Sequence, residues 1–442
     1  MNSEIEELVI DRLYKAYQSA LSVTTDSRHI EPGTLFFALK GEHFDGNAFA
    51  SQALQQGAAL CVVSNPQYAI DDRCIVVPDV LATLQALARV HRRNLTVPVV
   101  GITGTNGKTT TKELVAAVLA KRYRTVATAG NFNNHLGVPL TLLRIGAGAE
   151  MAVVEMGANH PGEIEQLCAI ANPDCGLITN VGRAHLEGFG SFEGVVRTKT
   201  ELYRHLAARH ALAFVKADNT LLMHEAAAIG LQTTTYGSAA GASVRGSHVS
   251  DSPFMKFYFE VADNVYTVQT QLLGGYNFDN CMAAVAVGLH FGVDPFDIKE
   301  AIEQYRPANQ RSEFKTTTRG NRLYLDCYNA NPSSMEAAIG SFAKMAATVQ
   351  GRRMAIIGGM HELGTEERRE HQRLVDQLAD CRLDCCLLVG PEFDGLELPS
   401  AMLHFADTNA ICQWLQRHPV TDTTILVKGS NTNRLWTLEE LL

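Results

Sequence analysis

The sequence lacks several features that would place the protein in a particular class. None of its ten cysteines forms a C-x-x-C pair or a Cys/His ladder, so neither a zinc site nor a disulfide framework is predicted. Basic residues are not in excess, since 38 Lys and Arg stand against 47 Asp and Glu, and the formal charge of −9 argues against a nucleic-acid partner. No apolar run is long enough to span a bilayer, and the acidic N-terminal stretch MNSEIEELVIDRLYK lacks the apolar region of a secretory signal. We therefore expect a cytoplasmic protein with reduced thiols and no membrane span.

What the sequence does contain is a repeated alternation of apolar strands and helices. Runs such as VPVVGITG, EMAVVEMG and DCGLITNVG suit a parallel sheet that is buried on both faces. A more polar stretch near 243–273 is expected to be antiparallel, and NLTVP (94–98) and RPANQR (306–311) are predicted to be linkers. The length suits two to four domains of roughly 150 residues each. We predict an α/β protein with three domains, at 1–95, 96–307 and 308–442.

The stretch GITGTNGKTTTKEL (101–114) has the composition of a phosphate-binding loop. Its glycines let backbone N–H groups converge on an anion, and the helix that follows adds its positive dipole end. Lys108 is placed to reach the terminal phosphates, and the Thr109 hydroxyl could ligate Mg²⁺. The loop is shorter than the usual eight-residue P-loop, because Ile102 stands where that motif has glycine. The alternative is a glycine-rich turn that opens an ordinary helix.

GTNGKT in the middle of three α/β segments resembles the Mur ligase superfamily, whose members use ATP to join an amino group to a carboxylate. The resemblance covers essentially the whole chain. Further segments in the expected order are TTDSRHIEPGTLFFALKGEHFDGNAFA (24–50), GNFNNHLGVPLTLL (130–143), VVEMGANHPGEI (153–164), NVGRAHLEGFGS (180–191), DCYNANPSSMEAAI (326–339), HELG (361–364) and LVKGSN (426–431). It implies a small N-terminal α/β domain for a UDP-linked substrate, a central P-loop ATPase-like domain with a mainly parallel sheet, and a C-terminal Rossmann-like domain. The C-terminal domain is expected to close over ATP and to bind an incoming dipeptide.

Within that family, NNHLGVPLTLL together with DCYNANPSS resembles the members that add D-alanyl-D-alanine to UDP-N-acetylmuramoyl-tripeptide. The implied reaction converts the peptide carboxylate into an acyl phosphate, which the amine of the dipeptide attacks. Phosphoryl transfer depends on charge neutralisation, and the resemblance implies ATP and two Mg²⁺ ions. It also implies a monomeric ligase of peptidoglycan synthesis, and hence a role in cell-wall biogenesis, cell shape and cell division.

Two alternatives remain at the level of sequence. The first is a sibling enzyme, either another Mur ligase or a folylpolyglutamate synthetase. Against one sibling, the diaminopimelate-adding ligase, we find no D-N-P-R stretch, and DCYNANP differs from its usual D-Y-A-H-T-P. The second alternative is a regulatory module that binds a nucleotide without ligation. Predicted metal ligands on several strands and a complete third α/β segment count against it.

The predicted metal ligands are Thr109, Glu155, His185 and Lys199. Glu155 ends the apolar run MAVVE, where a carboxylate could face the Mg²⁺ of the phosphate loop, although a solvated strand end is the alternative. Mg²⁺ prefers oxygen ligands, so His185 alone would be taken for a loop histidine, and only the resemblance makes it a ligand. Lys199 alone would be taken for a surface lysine. The resemblance implies that CO₂ carbamylates Lys199, which turns a cation into an anionic ligand.

The resemblance assigns roles to further residues. Those implied to bind nucleotide are Gly104, Thr105, Asn106, Gly107, Lys108, Thr109, Thr110, Asn277, Asn280, Asp326, Tyr328 and Lys428. Those implied to be catalytic are Lys108, His185, Lys199 and Arg311, and those implied to bind substrates are Ser27, Arg28, Asn133, Asn134, Asn329 and Asn331. The residues alone leave Asn277 and Asn280 as a turn and a helix start, and Ser27 and Arg28 as an ordinary turn.

The sequence departs from the family pattern at two places near these residues. Gln310 stands beside Arg311 where the family usually has glycine, so the local turn is not expected to match. In GMHELG, Gly359 and His361 stand where the family commonly has Asp and a hydrophobic residue. His361 is therefore left without a predicted role.

Overall fold

The computed structural model describes residues 3–251, 254–308, 310–347 and 351–442. Its α-helices are α1 (Ser3–Ser19), α2 (Ala50–Gln55), α3 (Val80–Asn94), α4 (Lys108–Ala120), α5 (Gly137–Leu142), α6 (Glu163–Ala171), α7 (Leu186–Phe189), α8 (Phe192–Lys199), α9 (Glu201–Ala208), α10 (Thr220–Ala228), α11 (Asn277–His290), α12 (Pro295–Gln304), α13 (Pro332–Ala346), α14 (Glu367–Asp380) and α15 (Thr408–Arg417). Its strands are β1 (Ser22–Thr24), β2 (Thr34–Phe37), β3 (Leu60–Val63), β4 (Cys74–Val76), β5 (Val99–Thr103), β6 (Thr125–Ala127), β7 (Met151–Glu155), β8 (Cys175–Ile178), β9 (Leu212–Lys216), β10 (Gln232–Gly237), β11 (Val244–Ser250), β12 (Lys256–Val261), β13 (Asn264–Gln269), β14 (Glu313–Thr316), β15 (Arg322–Asp326), β16 (Arg352–Gly358), β17 (Cys385–Val389), β18 (Met402–Phe405) and β19 (Thr423–Lys428).

The chain divides into two compact units. The first contains residues 1–102, 123–158 and 162–176, and the second contains residues 103–122, 159–161 and 177–442. The second unit therefore holds the phosphate loop together with everything after β8. The three predicted domain boundaries are a finer division of the chain, and they stay predictions.

The first unit begins with a parallel sheet in the order β1-β2-β3-β4. The apolar face of β2 and β3 packs on α2 through a core that includes Phe36, Ala53 and Cys61. Strands β5, β7 and β6 of the same unit are also parallel, in that order. The short strand β6 was not predicted, yet β7 pairs directly with β5 and sets Glu155 opposite Ile102. The carboxyl end of β7 therefore lies beside the carboxyl end of β5.

The second unit contains the predicted antiparallel stretch. Strands β11, β12 and β13 form antiparallel pairs, so the prediction for residues 243–273 is confirmed. Strands β9, β10 and β11 pair in parallel. Helix α11, which was predicted from YNFDNCMAAVAVGLHFG, packs against α4. This packing places the start of α11 next to the phosphate loop.

The last part of the second unit is a six-stranded sheet in the order β14-β15-β19-β16-β17-β18. All neighbouring pairs are parallel except β14 with β15. One face is covered by α13 and α14, through residues such as Ile339 and Leu374. The other face is covered by α15 and the final 3₁₀ segment, through residues such as Ile411 and Leu435. Chain segments that leave the carboxyl ends of the strands therefore depart on both faces.

Among the described residues, we find no helix with the length and apolar character needed to cross a membrane.

Candidate nucleotide and substrate site

The phosphate loop connects β5 to α4 and depends on its two glycines. Gly104 has φ +145° and Gly107 has φ +76°, conformations that side chains with a Cβ rarely adopt. There is also no space for a side chain at either position. A Cβ on Gly104 would lie 2.0 Å from Thr179 Oγ1, and a Cβ on Gly107 would lie 2.5 Å from Asn280 Oδ1. The loop therefore follows its path only because both positions are glycine.

The segment after β8 supports this loop, a role that sequence reasoning missed. The Asn106 N–H donates to Asn180 Oδ1 at 3.0 Å, and Asn180 Nδ2 donates to Asn106 O at 3.0 Å. The Thr179 hydroxyl donates to the same carbonyl at 2.7 Å. The signal was present in DCGLITNVG, since polar residues that end a buried parallel strand gather at the binding edge of a sheet.

Lys108 begins α4 and bends back over the loop. Its Nζ donates to Gly104 O and to Thr105 O, both at 3.0 Å. The ammonium group therefore lies on the same loop whose N–H groups could bind phosphate. Phosphate oxygens can replace these carbonyl contacts, because each is a single hydrogen bond to a neutral acceptor.

Asn277 and Asn280 form a buried chain of amides at the start of α11. Thr111 Oγ1 donates to Asn280 Oδ1 at 3.0 Å, Asn280 Nδ2 donates to Asn277 Oδ1 at 2.8 Å, and Asn277 Nδ2 donates to Leu273 O at 2.8 Å. This chain ties α11 to α4 directly behind Gly107. Contact of either asparagine with a nucleotide stays a prediction.

His185 lies near two of the predicted catalytic lysines. Its backbone is left-handed, with φ +50°, and its Nδ1 pairs with the carboxylate of Glu362, which is also left-handed at φ +60°. Burial lowers the pKa of His185, Glu362 opposes this shift, and the positive charges of Lys108 and Lys199 lower the pKa further. Three predicted catalytic residues therefore share one electrostatic environment in the second unit. Glu362 was not predicted to belong to the site, although it lies in HELG (361–364), one of the segments that resemble the family.

Lys199 ends α8 and is buried. Its side chain is 2% exposed, and its Nζ lies 5.2 Å from the centroid of the Phe189 ring. The interpretation of Lys199 as a surface lysine is therefore wrong, because α8 turns this residue inward. Carbamylation of Lys199 stays a prediction.

Among the described residues, no three His, Cys, Asp or Glu side chains converge as a cluster that could hold a metal ion. Mg²⁺ in nucleotide sites commonly takes one or two protein oxygens together with phosphate and water. The hypothesis of metal binding by Thr109, His185 and Lys199 therefore depends on phosphate oxygens as well as protein ligands.

A second group of polar residues lies just before β14 and at the carboxyl ends of β15 and β19. The Arg311 guanidinium lies 3.6 Å from the centroid of the Tyr328 ring, a cation–π contact. Lys428 Nζ lies 2.6 Å from Asp326 Oδ2 and donates to Asn329 O at 3.2 Å. Lys428 is 1% exposed, so its charge serves to hold Asp326 at the carboxyl end of β15.

A pocket adjoins Asp326. It is mostly apolar, and its lining residues are Asp251, Leu273, Gly274, Tyr276, Ser312, Tyr324, Leu325, Asp326, Ala338, Ser341, Phe342, Met345 and Leu426. The hydroxyls of Tyr276 and Ser312 lie 3.0 Å apart, and burial raises the pKa of Tyr276. Apolar walls with a few polar groups suit a flat heterocycle. The sequence patterns did not predict this pocket, because its walls come from separate segments.

The departure at Gln310 has a structural explanation. Gln310 has φ +61° and Ser312 has φ +51°, so Arg311 lies between two left-handed residues. Glycine would adopt this conformation without strain, whereas Gln310 adopts it with a Cβ. The Gln310 carbonyl accepts the Cys327 N–H at 2.9 Å, so the turn remains tied to the end of β15.

In the first unit, Asn133 and Asn134 have separate roles. Asn133 Nδ2 donates to Glu155 Oε1 at 2.7 Å, and Glu155 is 0% exposed at the end of β7. Asn134 Oδ1 accepts the N–H groups of Leu136 and Gly137, at 3.1 and 2.9 Å, and so supports the start of α5. Asn133 therefore orients the predicted metal ligand. Substrate binding by Asn133 and Asn134 stays a prediction.

The turn after β1 presents an exposed cation. The Arg28 guanidinium binds Asp26 through Nε at 2.8 Å and Nη2 at 2.7 Å, and it holds the pKa of that carboxyl well below its usual range. His29 Nδ1 lies 3.1 Å from the same carboxylate. Ser27 lies between these residues in the turn. The arrangement fixes an exposed guanidinium of the type that recognises phosphates.

Asn331 contacts the phosphate loop. It caps α13 by accepting the Ser334 N–H at 2.9 Å, and its Nδ2 donates to Asn106 Oδ1 at 2.8 Å. Nearby, the Arg183 N–H donates to the Ser333 hydroxyl at 2.8 Å. The start of α13 is therefore fixed to both the phosphate loop and the segment after β8. Dipeptide binding by Asn329 and Asn331 stays a prediction.

Comparisons with known proteins agree with this arrangement. Residues 21–100 match the Mur ligase family catalytic domain, residues 102–288 match the Mur ligase middle domain, and residues 310–431 match the Mur ligase glutamate ligase domain. The UDP-N-acetylmuramoyl-tripeptide–D-alanyl-D-alanine ligase of Bacillus subtilis (strain 168) is 36% identical over 388 residues, which cover 87% of this chain and 82% of that protein. The chain belongs to the Mur ligase family.

Solved structures of Mur ligases confirm the predicted fold class. A crystal structure of MurF from Acinetobacter baumannii superposes with a TM-score of 0.85 at 32% identity, covering 97% of both chains. The structure of MurF from Thermotoga maritima in complex with ADP gives a TM-score of 0.83 at 29% identity, covering 96% of this chain and 97% of that one. The prediction of a three-domain α/β ligase is therefore confirmed.

Gly107→Ala should weaken nucleotide binding by roughly tenfold or more, because the new Cβ both strains the backbone and displaces Asn280. The measurement is calorimetric titration with ADP. The matched control is Gly230→Ala, since Gly230 has φ +63° with no atom within 4 Å of its Cβ position. Equal affinity for ADP in the two variants would contradict the role assigned to the space at Gly107.

Proposed function

We propose that this Mur ligase joins D-alanyl-D-alanine to the peptide carboxylate of UDP-N-acetylmuramoyl-tripeptide, with conversion of ATP to ADP and phosphate. The observation that carries the proposal is the similarity to a UDP-N-acetylmuramoyl-tripeptide–D-alanyl-D-alanine ligase and to a MurF structure, over most of both chains in each case. The product would be a precursor of peptidoglycan. The proposal also places the protein among cytoplasmic, monomeric enzymes.

The geometry of the second unit supports binding of ATP. The glycine loop and Lys108 offer N–H groups and an ammonium to the phosphates. Asp326 stands at the edge of the apolar pocket, where it could accept a ribose hydroxyl while the base enters the pocket. The related MurF from Thermotoga maritima was solved in complex with ADP, which supports the same use of this site.

The proposed chemistry explains why cations gather near the loop. A carboxylate is unreactive toward amines, because its oxygen is a poor leaving group. Transfer of the γ-phosphoryl group from ATP to the carboxylate creates an acyl phosphate. The negative charge on the transferring group must be stabilised by groups that are already in position. Lys108 would bind the transferring group. Arg311, which precedes the six-stranded sheet, would also contact the phosphates.

Two Mg²⁺ ions and a carbamylated Lys199 belong to the same proposal. Two observations support the fit. Lys199 is buried, and its positive charge lowers the pKa of His185. A carbamate would replace a buried cation with an oxygen ligand, and Thr109 and His185 could complete the protein's share of the coordination. Mg²⁺ would neutralise phosphate charge, and the protein residues would hold the phosphates in position. In the first unit, Glu155 keeps its proposed role as a carboxylate ligand.

Lys108→Ala should abolish ligation while the fold remains intact, because this lysine serves the phosphates. The measurement is ADP release at saturating ATP, together with thermal unfolding. The matched control is Lys121→Ala at the other end of α4, where Lys121 pairs with Glu300 at 2.9 Å. More than a small fraction of wild-type turnover in Lys108→Ala would reject the assigned role.

ADP release should require both acceptor substrates if the chain is a ligase. A panel of UDP-muramoyl peptides ending in lysine or diaminopimelate, each tested with and without D-alanyl-D-alanine, measures this dependence. We expect turnover only with a UDP-tripeptide and the dipeptide together. Slow hydrolysis of ATP that is indifferent to both substrates would instead support a regulatory nucleotide-binding module.

Removal of dissolved CO₂ should lower activity, and bicarbonate should restore it, if Lys199 is carbamylated. Lys199→Ala should be nearly inactive, with partial rescue by a small added carboxylate that fills the vacated space. Lys199→Arg should not be rescued, since it keeps a positive charge and cannot be carbamylated. A fully active Lys199→Arg enzyme would show that the residue acts only as a cation.

A further inference from the structure

Arg183 belongs to the segment after β8 and forms ion pairs with two helices that cover one face of the six-stranded sheet. Its Nη1 lies 3.6 Å from Glu370 Oε1 on α14, and its Nη2 lies 3.7 Å from Glu336 Oε2 on α13. The Arg183 side chain is 33% exposed, that of Glu336 is 68% exposed and that of Glu370 is 6% exposed. One guanidinium therefore connects a separate segment to both helices.

The two ion pairs differ in strength. An exposed ion pair contributes little to stability, so the contact with Glu336 serves mainly to direct the guanidinium. A buried carboxylate such as that of Glu370 is unfavourable without nearby cations, so its pair with Arg183 is the stronger one. Arg373 also donates to Glu370 Oε1, at 3.4 Å, but it lies on α14 itself, three residues further along. Arg373 therefore balances the same charge without connecting α14 to another segment.

The backbone beside Arg183 lies between α13 and the phosphate loop. The Arg183 N–H donates to the Ser333 hydroxyl at 2.8 Å, and a Cβ on Gly182 would lie 2.6 Å from that oxygen. On the other side, the Gly182 N–H donates to Thr105 Oγ1 of the phosphate loop at 2.9 Å. A displacement of either α13 or the phosphate loop would therefore disturb this segment.

The side chain of Arg183 adds what the contacts at the start of α13 do not provide. Ser333 and Asn331, which contact the segment and the phosphate loop, both lie at the first turn of α13, so they fix the point where this helix begins. Glu336 lies one turn further along on the side of Ser333, and Glu370 lies on the neighbouring helix. The ion pairs of Arg183 therefore fix the direction of α13 and the position of α14.

The position of α13 bears on the proposed ATP site, because α13 follows the end of β15. Asp326 ends β15, and Tyr328 lies in the short connection to α13, whereas Lys108 lies on the phosphate loop. ATP can contact both groups at once only if the loop and the end of β15 keep a fixed separation. A displacement of about 1 Å at reacting groups can lower a rate by roughly a hundredfold.

We propose that Arg183 is a positioning residue that holds α13 and α14 in a fixed position relative to the phosphate loop, and that it acts through Glu370. This inference rests on the proposed function, in which ATP contacts the phosphate loop and the end of β15 together. Arg183 itself does not contact ATP. Its loss would leave the sheet and the loop folded, but would allow α13 to turn about its first residues.

The kinetic test uses Arg183→Met, which keeps the length of the side chain and removes its charge. We expect kcat for ligation to fall roughly tenfold or more, because the groups that contact ATP lose their fixed separation. The KM for the UDP-linked substrate should not change, since its predicted contacts at Ser27 and Arg28 belong to the first unit. The matched control is Arg373→Met, for which kcat should fall less than about twofold. Equal values of kcat in the two variants would overturn the proposal.

A double-mutant cycle tests whether Arg183 acts through Glu370. Glu370→Gln keeps the shape of the side chain and should lower kcat about as much as Arg183→Met does. The variant with both changes should be no slower than either single variant, because residues that act as one pair have effects that do not add in free energy. Effects that multiplied in the double variant would show that the two residues act independently, and the proposal would fail.

Amide hydrogen exchange with ADP gives a test apart from turnover. In the wild type, ADP should slow exchange both in the phosphate loop and in the first turns of α13. In Arg183→Met, the slowing should persist in the loop and disappear in α13, whereas Arg373→Met should keep both effects.

Two results of the exchange measurement would refute the positioning role. Slowing that persisted in α13 of Arg183→Met would show that the ion pairs are not needed, and loss of the slowing in the loop would show that Arg183 contacts the nucleotide directly. Absence of ligation by the wild type with any UDP-tripeptide and dipeptide would instead refute the proposed function. The exchange measurement with ADP would then still decide the role of Arg183.

Discussion

The close packing around two glycines of the phosphate loop is the constraint on which the rest of the nucleotide site depends. Gly104 leaves no space for a Cβ beside Thr179, and Gly107 leaves none beside Asn280. The loop is therefore clamped between the end of β8 and the start of α11. This clamp sets the direction of its N–H groups before any anion arrives, so a phosphate meets a preorganised site.

A second constraint is the distribution of buried charge. Lys199 and Lys428 are both buried lysines, but their surroundings differ. Lys428 has the carboxylate of Asp326 at 2.6 Å, whereas Lys199 adds its positive charge to the environment of His185. An arrangement of the first kind holds a strand end in place. The proposed carbamylation of Lys199 would remove its positive charge from the surroundings of His185.

Most of the fold could be predicted from the sequence, because it depends on local patterns. The apolar runs of β5, β7, β16 and β19 and the helix at 276–292 are short-range signals that the structure confirms. The weak strand β6 was missed, since three residues carry little pattern. In the site, the glycine loop was predicted for the same reason that it works: spacing along the chain fixes it. Asn180 and Glu362 were missed, because their partners lie far away in the sequence.

The sequence alone determined the α/β class, the phosphate loop and membership of the Mur ligase family, since glycine, lysine and strand patterns act over a few residues. Only the tertiary structure decided the environment of each charge. It buried Lys199, which its helix alone would leave at the surface, and it placed Gln310 in a left-handed turn. It also brought Glu392 and Thr432, from two distant loops, to His361. Burial and protonation depend on which segments pack together, and that choice is made by the whole chain.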